Sequence, residues 1–324
     1  MTRAGTQLGV ADVLLAAGRI AGLVRRTPLL TVAPLPGILL KAEHLQVSGS
    51  FKVRGAANAM LGHGAGEIVA GSSGNHGIAV ATLGRALGVP VTVVMAAGAS
   101  GAKAATIRDL GGRVVVVEGG VVERDRHAQS YAARTGAVLV PSSDHDLVVA
   151  GQGTVGLEVF ADVPDLDLIF VPTGGGGLLA GICLAACTLT RRVRIVGVEP
   201  MAARRYARSV AEDRPVELPP PDTVADGLRG QRPGAVPFPI IRSRVDALIG
   251  VTDEAVTDAM ALLRAAGIDA EPTGSVALAG ALQYPRTGTS VAIVSGGNTA
   301  ATLTAPTAPD GAIRPVPTYE RTDQ

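Results

Sequence analysis

The chain has 324 residues, 47% of them apolar, with 29 Lys and Arg against 28 Asp and Glu for a formal net charge of +1. That composition can bury one large or two modest cores, but so even a charge creates no field to gather nucleic acid or anionic lipid. Aromatic residues are only 2%, with no Trp, so stacking platforms for single-stranded nucleic acid are missing too.

In chain order, residues 11–24 read as an amphipathic helix, Thr27-Pro28-Leu29-Leu30 as the start of an extended segment, and residues 38–43 as a strand. From about residue 66 the two periods alternate: strand 68–70, helix 76–87, strand 91–95, helix around 103–110, strand 114–117, helix around 123–134, strand 138–140. The theme returns with strands at 168–171, 193–198 and 291–294 and helices that include 178–189 and 254–266. Short β-branched runs separated by helices predict an α/β fold: two domains, each with a twisted, mainly parallel sheet flanked by helices, and a cleft between them.

Three features carry a plain reading. The uncharged stretch 168–189 is long enough to span a bilayer, but Pro172 and four consecutive glycines make strand, loop and helix the better assignment. Cys183 and Cys187 are four apart with no His/Cys cluster, which suits two small buried hydrophobes in a reducing cytosol. The N-terminus has no apolar run of a signal peptide. A cytoplasmic protein without a membrane partner is expected.

Four segments carry chemistry. In Ser48-Gly49-Ser50-Phe51-Lys52-Val53-Arg54-Gly55, a lysine lies between a tight turn and a small-residue helix. Such an amine can form a Schiff base if its site lowers its pKa, although spacing alone favours an ordinary surface lysine. Gly71-Ser72-Ser73-Gly74-Asn75-His76-Gly77 follows a strand and precedes a helix, presenting N–H groups to a carboxylate or a phosphate. Pro172-Thr173-Gly174-Gly175-Gly176-Gly177-Leu178 is neither a P-loop nor a spaced dinucleotide fingerprint, and best suits a single phosphate without a metal. Val294-Ser295-Gly296-Gly297-Asn298 sets a Ser at the carboxyl end of the last strand, where open sheets bind ligands.

Together these segments resemble the pyridoxal-phosphate (PLP) enzymes of the second fold type, and within them the threonine/serine dehydratase and serine racemase branch. The likeness runs from about residue 27 to 298. It includes Ala150-Gly151-Gln152-Gly153-Thr154, Ala225-Asp226-Gly227-Leu228, Arg232-Pro233-Gly234 and Glu271-Pro272-Thr273-Gly274-Ser275.

The resemblance implies PLP as cofactor and a small-molecule amino acid as substrate. Lys52 then carries the Schiff base and moves the α-proton. Phe51 packs near the ring. Gly174, Gly175, Gly176, Gly177 and Leu178 cradle the phosphate, Asn75 bonds the ring hydroxyl, and Ser295 faces the pyridine nitrogen. Ser72, Ser73, Asn75 and His76 belong to the loop that takes the substrate carboxylate, and Ser73 matches the second acid/base of the racemases. A neutral Ser at the ring nitrogen makes a weaker electron sink, which suits expulsion of a β-hydroxyl.

The pattern is broken in three places. The family's divalent-metal site maps onto Glu199 and the carbonyl of Ala203, but its second acidic position is Arg205, which argues against Mg²⁺ or Ca²⁺. Pairing of Arg205 with Glu199 is the expectation there, and no metal is predicted. The stretch from Lys52 to Ser72 is short, with His63-Gly64-Ala65-Gly66 in place of a longer connection. After Pro141 stand Ser142-Ser143-Asp144-His145, where a small Ser142 predicts room for a substrate larger than threonine.

The resulting expectation is a lyase that removes water from a β-hydroxy-amino acid and yields a 2-oxo acid and ammonia. A racemase using Lys52 and Ser73, and a PLP-binding protein without turnover, are the alternatives. Residues 1–64 and 144–324 are expected to form the large PLP-binding domain, 65–143 the small domain, and 303–324 a mobile tail. A homodimer is expected, and with the chain ending at Gln324 no regulatory domain responsive to isoleucine.

Overall fold

The computed structural model describes residues 8–33, 35–64 and 66–304. Most of the expected tail, from 305 onward, lies outside these residues, as do the first seven.

The chain opens with α1 (Val10–Ile20), β1 (Leu29–Thr31) and β2 (Ile38–Lys41), followed by α2 (Lys52–His63). Next come β3 (Ile68–Gly71), α3 (Asn75–Leu87), β4 (Val91–Ala96), α4 (Gly101–Asp109), β5 (Arg113–Val117), α5 (Val121–Thr135) and β6 (Val138–Leu139). A long helix, α6 (Asp146–Asp162), leads to β7 (Leu168–Pro172), α7 (Gly177–Ala185), β8 (Arg194–Pro200), α8 (Arg205–Ala211), α9 (Pro237–Arg244) and β9 (Ala247–Val251). The described chain closes with α10 (Asp253–Ala265), α11 (Pro272–Gln283), β10 (Ser290–Ile293) and α12 (Ala300–Thr304).

The strands form two sheets. The larger has the order β1-β2-β10-β7-β8-β9 and is parallel except at the β1–β2 edge; the smaller, β5-β4-β3-β6, is parallel throughout. Every strand of the central β7 and β10 region is buried along its length, as the continuous apolar runs require. One face of the large sheet is covered by α10 and α11 through Val256, Leu263, Val276 and Leu278, the other by α6, α7 and α9 through Val155, Leu179, Ile182 and Ile241. The small sheet packs α2, α3 and α4 on one face and α5 on the other. No helix among the described residues is long and apolar enough to cross a membrane; the uncharged stretch 168–189 divides into β7, a glycine loop and α7.

Strand order decides where ligands can enter. In the small sheet the chain runs outward from β3 to β4 and β5, then returns to the other side of β3 as β6. In the large sheet it runs from β7 to β8 and β9, then returns beside β7 as β10. Each return leaves a crevice beyond the carboxyl ends of the strands. The Ser72–His76 segment follows β3, the four glycines follow β7, and Ser295 follows β10, so all three ligand-type loops lie at these switch points.

Periodicity does not predict the helix that joins the two sheets, α6. In α6, Gly151 meets α2: a Cβ there would sit 2.6 Å from the carbonyl oxygen of Arg54. Gly153 meets α7, where a Cβ would sit 2.7 Å from the carbonyl oxygen of Gly181. The two glycines let α6 lie against the helix that begins with Lys52 and the helix that follows the four glycines. The start of α2 is further fixed by buried ions. Arg54 donates to Glu43 through Nε (2.8 Å) and Nη2 (2.7 Å) and to Glu158 of α6 through Nη1 (2.7 Å), while Lys41 donates to Glu158 (2.6 Å).

Candidate active site

The turn before α2 needs Gly49, whose φ is +71° and whose absent Cβ makes room for the Asn298 side chain. Asn298 donates from Nδ2 to the carbonyl of Ser48 (3.0 Å), and the amide of Phe51 donates to the carbonyl of Ser295 (3.1 Å). The lysine turn is thereby stitched to the end of β10. Lys52 is the first residue of α2, and its Nζ donates to the carbonyl of Ser142 at 2.8 Å, across 90 residues of sequence. Its Nζ also lies 5.1 Å from the centroid of the Phe51 ring. With no carboxylate bonded to it, burial pushes this amine down to about 8. The lysine is therefore a desolvated amine, a state that spacing alone does not reveal.

Asn75 begins α3 and reaches across to the large sheet. Its Oδ1 accepts from Asn298 Nδ2 (2.9 Å), and its Nδ2 donates to Glu271. One N–H and one lone pair of the amide remain for a ligand. Ser72 faces inward as a cap, its Oγ accepting from the amides of Gly74 (3.2 Å) and Gly77 (3.0 Å). Ser73 Oγ accepts from the amide of Ala96 at 3.2 Å. His76 is buried, with Nε2 2.8 Å from the carbonyl of Val140 and Nδ1 without a hydrogen-bond partner. Burial and the nearby Lys52 push His76 down to about 3, so it is neutral, and the proton on Nε2 leaves Nδ1 an acceptor.

The glycine loop carries the anion-binding character. Gly176 has φ +92°, and a Cβ there would fall inside the Tyr206 phenol. The amides of Gly174, Gly175 and Gly176 have no acceptor among the described residues, and they lead into the free first-turn amides of α7, which include Leu178. A single phosphate monoester fits this cradle, and the desolvated Lys52 amine fits its aldehyde. Ser143 lies against the loop: a Cβ on Gly175 would stand 2.8 Å from that of Ser143. Ser295, nearly fully buried, donates from Oγ to the carbonyl of Thr273 at 3.4 Å and presents no charge.

A cluster unforeseen as site residues lies beside Asn75. Lys103 of α4 pairs with Asp226 (2.9 Å) and Glu271 (3.5 Å), joining the small sheet's helix layer to the large sheet's loops. Burial, only partly offset by Lys103, pushes Glu271 up to about 7. Burial opposes the charge on Lys103, but the two carboxylates outweigh it and hold its pKa above the ordinary lysine range. Asp226 and Glu271 were visible in sequence only as parts of motifs; their pairing with residue 103 depends on the fold.

The metal-type position needs a correction. Glu199 does not hold Arg205: its carboxylate accepts from the amides of Tyr206 and Ala207, both at 2.9 Å, at the start of α8. The guanidinium of Arg205 instead donates to the carbonyls of Gly174 (3.1 Å), Ala203 (2.9 Å), Thr173 (3.4 Å) and Leu228 (2.8 Å). The carboxylate oxygens find nearer donors in the helix's own unsatisfied amides, and the cation finds the carbonyls left over at the end of β7. With the Ala203 carbonyl taken and a cation fixed there, these residues do not fit a divalent metal.

A family profile described as "Pyridoxal-phosphate dependent enzyme" matches residues 20–301. The chain belongs to this family. It is a PLP-dependent enzyme. Among curated relatives, the L-threo-3-hydroxyaspartate ammonia-lyase of Saccharomyces cerevisiae is 38% identical over 300 residues, covering 89% of this chain and 92% of that protein. The serine racemase of Schizosaccharomyces pombe is 36% identical over 303 residues, covering 89% of this chain and 93% of the relative. Among solved structures, maize serine racemase superposes with a TM-score of 0.87 at 33% identity, covering 91% of this chain and 94% of the other. Threonine deaminase isoform 2 of Solanum lycopersicum does so with a TM-score of 0.82 at 28% identity, covering 91% and 87%.

Proposed function

We propose that this PLP enzyme is an ammonia-lyase of β-hydroxy-amino acids. The observation that carries the reading is the asymmetry between its two candidate bases. Lys52 is desolvated to a pKa of about 8, within reach of working pH, and is bonded only to a carbonyl. Ser73 already accepts a hydrogen bond from the Ala96 amide, which lowers the basicity of its oxygen. One good base suits elimination; racemisation calls for one on each face of the substrate. Relatives named as ammonia-lyases of hydroxyaspartate and threonine support the same reaction type.

When bound, the cofactor supplies the electron sink that makes an amino acid's α-proton acidic. In this reading Lys52 takes that proton. The amides of Gly174 to Leu178 hold the cofactor phosphate, Phe51 lies beside the ring, Asn75 offers its remaining N–H to the ring hydroxyl, and Ser295 gives the ring nitrogen a neutral neighbour. The amides of Ser73, Asn75 and His76, which have no acceptor among the described residues, receive the substrate carboxylate, and Ser142 borders the side-chain space. Loss of the α-proton and β-hydroxyl as water leaves an enamine, which takes up water and releases ammonia and a 2-oxo acid. Two domains, 65–143 and the rest of the chain, and a homodimer in the cytoplasm complete the proposal.

The test is incubation of the PLP-loaded protein with L- and D-serine, L- and D-threonine and bulkier β-hydroxy-amino acids, measuring 2-oxo acid and ammonia. Both products are expected from at least one of them, with the bulkier substrates accepted beside Ser142. Exchange of the α-hydrogen with solvent without any oxo acid would instead establish the racemase.

A further inference from the structure

Arg205 is a fully buried cation whose hydrogen bonds all go to backbone carbonyls. Two of those carbonyls, of Thr173 and Gly174, belong to consecutive peptide units of the glycine loop. The next carbonyl, of Gly175, accepts from the Tyr206 hydroxyl at 2.7 Å. In a trans peptide the C=O of one residue and the N–H of the next point in opposite directions. Fixing the carbonyls of 173, 174 and 175 on the α8 side therefore turns the amides of Gly174, Gly175 and Gly176 to the opposite side. Those are the three amides without an acceptor among the described residues. Three successive outward N–H groups form an anion nest, and a buried positive charge behind them adds to its potential.

The same guanidinium bonds the carbonyl of Leu228, at the end of the turn that carries Asp226, the partner of Lys103. Glu199 holds the arrangement from behind by seating the first amides of α8, so that Arg205 leaves the helix start toward β7. A divalent ion bound by carbonyls could organise these segments in the same way; here the charge is supplied by a side chain.

We infer that Arg205 is a built-in cation that sets the glycine loop for the cofactor phosphate and stands in place of a bound divalent metal, so that PLP is held without one. Arg205 is a positioning residue, acting through the Thr173 and Gly174 peptides. The inference rests on the PLP-binding reading of the loop and not on the reaction proposed above, so its test reads cofactor binding rather than turnover.

The experiment measures the affinity of the full-length protein, freed of cofactor by dialysis, for PLP and for pyridoxal, which lacks the phosphate. Each is titrated in EDTA, in Mg²⁺ and in Ca²⁺, for the wild type, R205K and R205M. Wild-type affinity for PLP is expected to agree within about twofold among the three media. R205M is expected to lose on the order of tenfold in PLP affinity with little change for pyridoxal, and R205K to recover part of that loss. A merely structural role would weaken both ligands together. Wild-type PLP binding that strengthens several-fold on adding Mg²⁺ or Ca²⁺ would overturn the inference, as would an unchanged PLP-to-pyridoxal ratio in R205M. Should R205M fail to fold, the wild-type comparison and R205K still decide it.

Discussion

At the scale of single residues the site works by withholding solvent. Lys52 has no acidic partner, so burial alone lowers its pKa to about 8 from the model-compound 10.5. A lowered folded-state pKa means the unfolded chain binds the extra proton between these two values. Stability contributed by this group therefore rises with pH across that interval and is absent below it. The chemical counterpart is reactivity: the neutral amine is the nucleophile. The rate at which apo-protein captures PLP is predicted to rise with pH through a midpoint near 8, read by absorbance after mixing. A rate that keeps climbing toward the ordinary lysine range would show that the amine is solvated. The lysine itself was legible in the sequence through its Ser-Gly-Ser-Phe setting. Its lowered pKa was not, because desolvation depends on the walls of the cleft, supplied by residues as distant as Ser142.

At the scale of elements, rigidity comes from close helix contacts and from buried ions around α2. Gly153→Ala places a methyl group 2.7 Å from the Gly181 carbonyl oxygen, so α6 and α7 must separate. A loss of about 1–3 kcal/mol is predicted, measured as a lower denaturation midpoint with unchanged m-value. Arg54 is bonded to Glu43 and Glu158, and Glu43 is completely buried. Arg54→Met leaves an uncompensated carboxylate in the core, and a loss of about 3–5 kcal/mol is predicted by the same measurement. Replacing Arg54 and Glu43 together by apolar residues should cost less than Arg54→Met alone, since no orphan charge remains. These contacts explain the glycines of the Ala150–Thr154 motif and the arginine two residues after Lys52. Both are family marks in the sequence, but what they touch depends on the fold. Periodicity does not mark helix α6 because both of its sides are buried and its apolar pattern has no polar face.

At the scale of the whole molecule, two parallel sheets set their switch points against one cleft. The loops after β3, β7 and β10 would each be an ordinary βα or strand-end turn if strand order did not reverse beside them. The cleft is tied across its two sides by Asn75 with Asn298 and Glu271, and by Lys103 with Asp226 and Glu271. All of these pairs span more than 120 residues of sequence.

Consecutive residues alone carry the α/β class, the strand–loop–helix units and the glycine-rich turns that follow the strands. Each depends on local periodicity or on backbone amides within one turn, and so is written in consecutive residues. The tertiary structure alone decided which loops share a crevice, which side chains are desolvated, and where the Arg205 charge goes. Nearness in sequence suggested a pair with Glu199, six residues away. The fold gave Glu199 the free amides of a helix start and gave Arg205 the free carbonyls of a strand end, because backbone groups buried there are costly to leave unpaired.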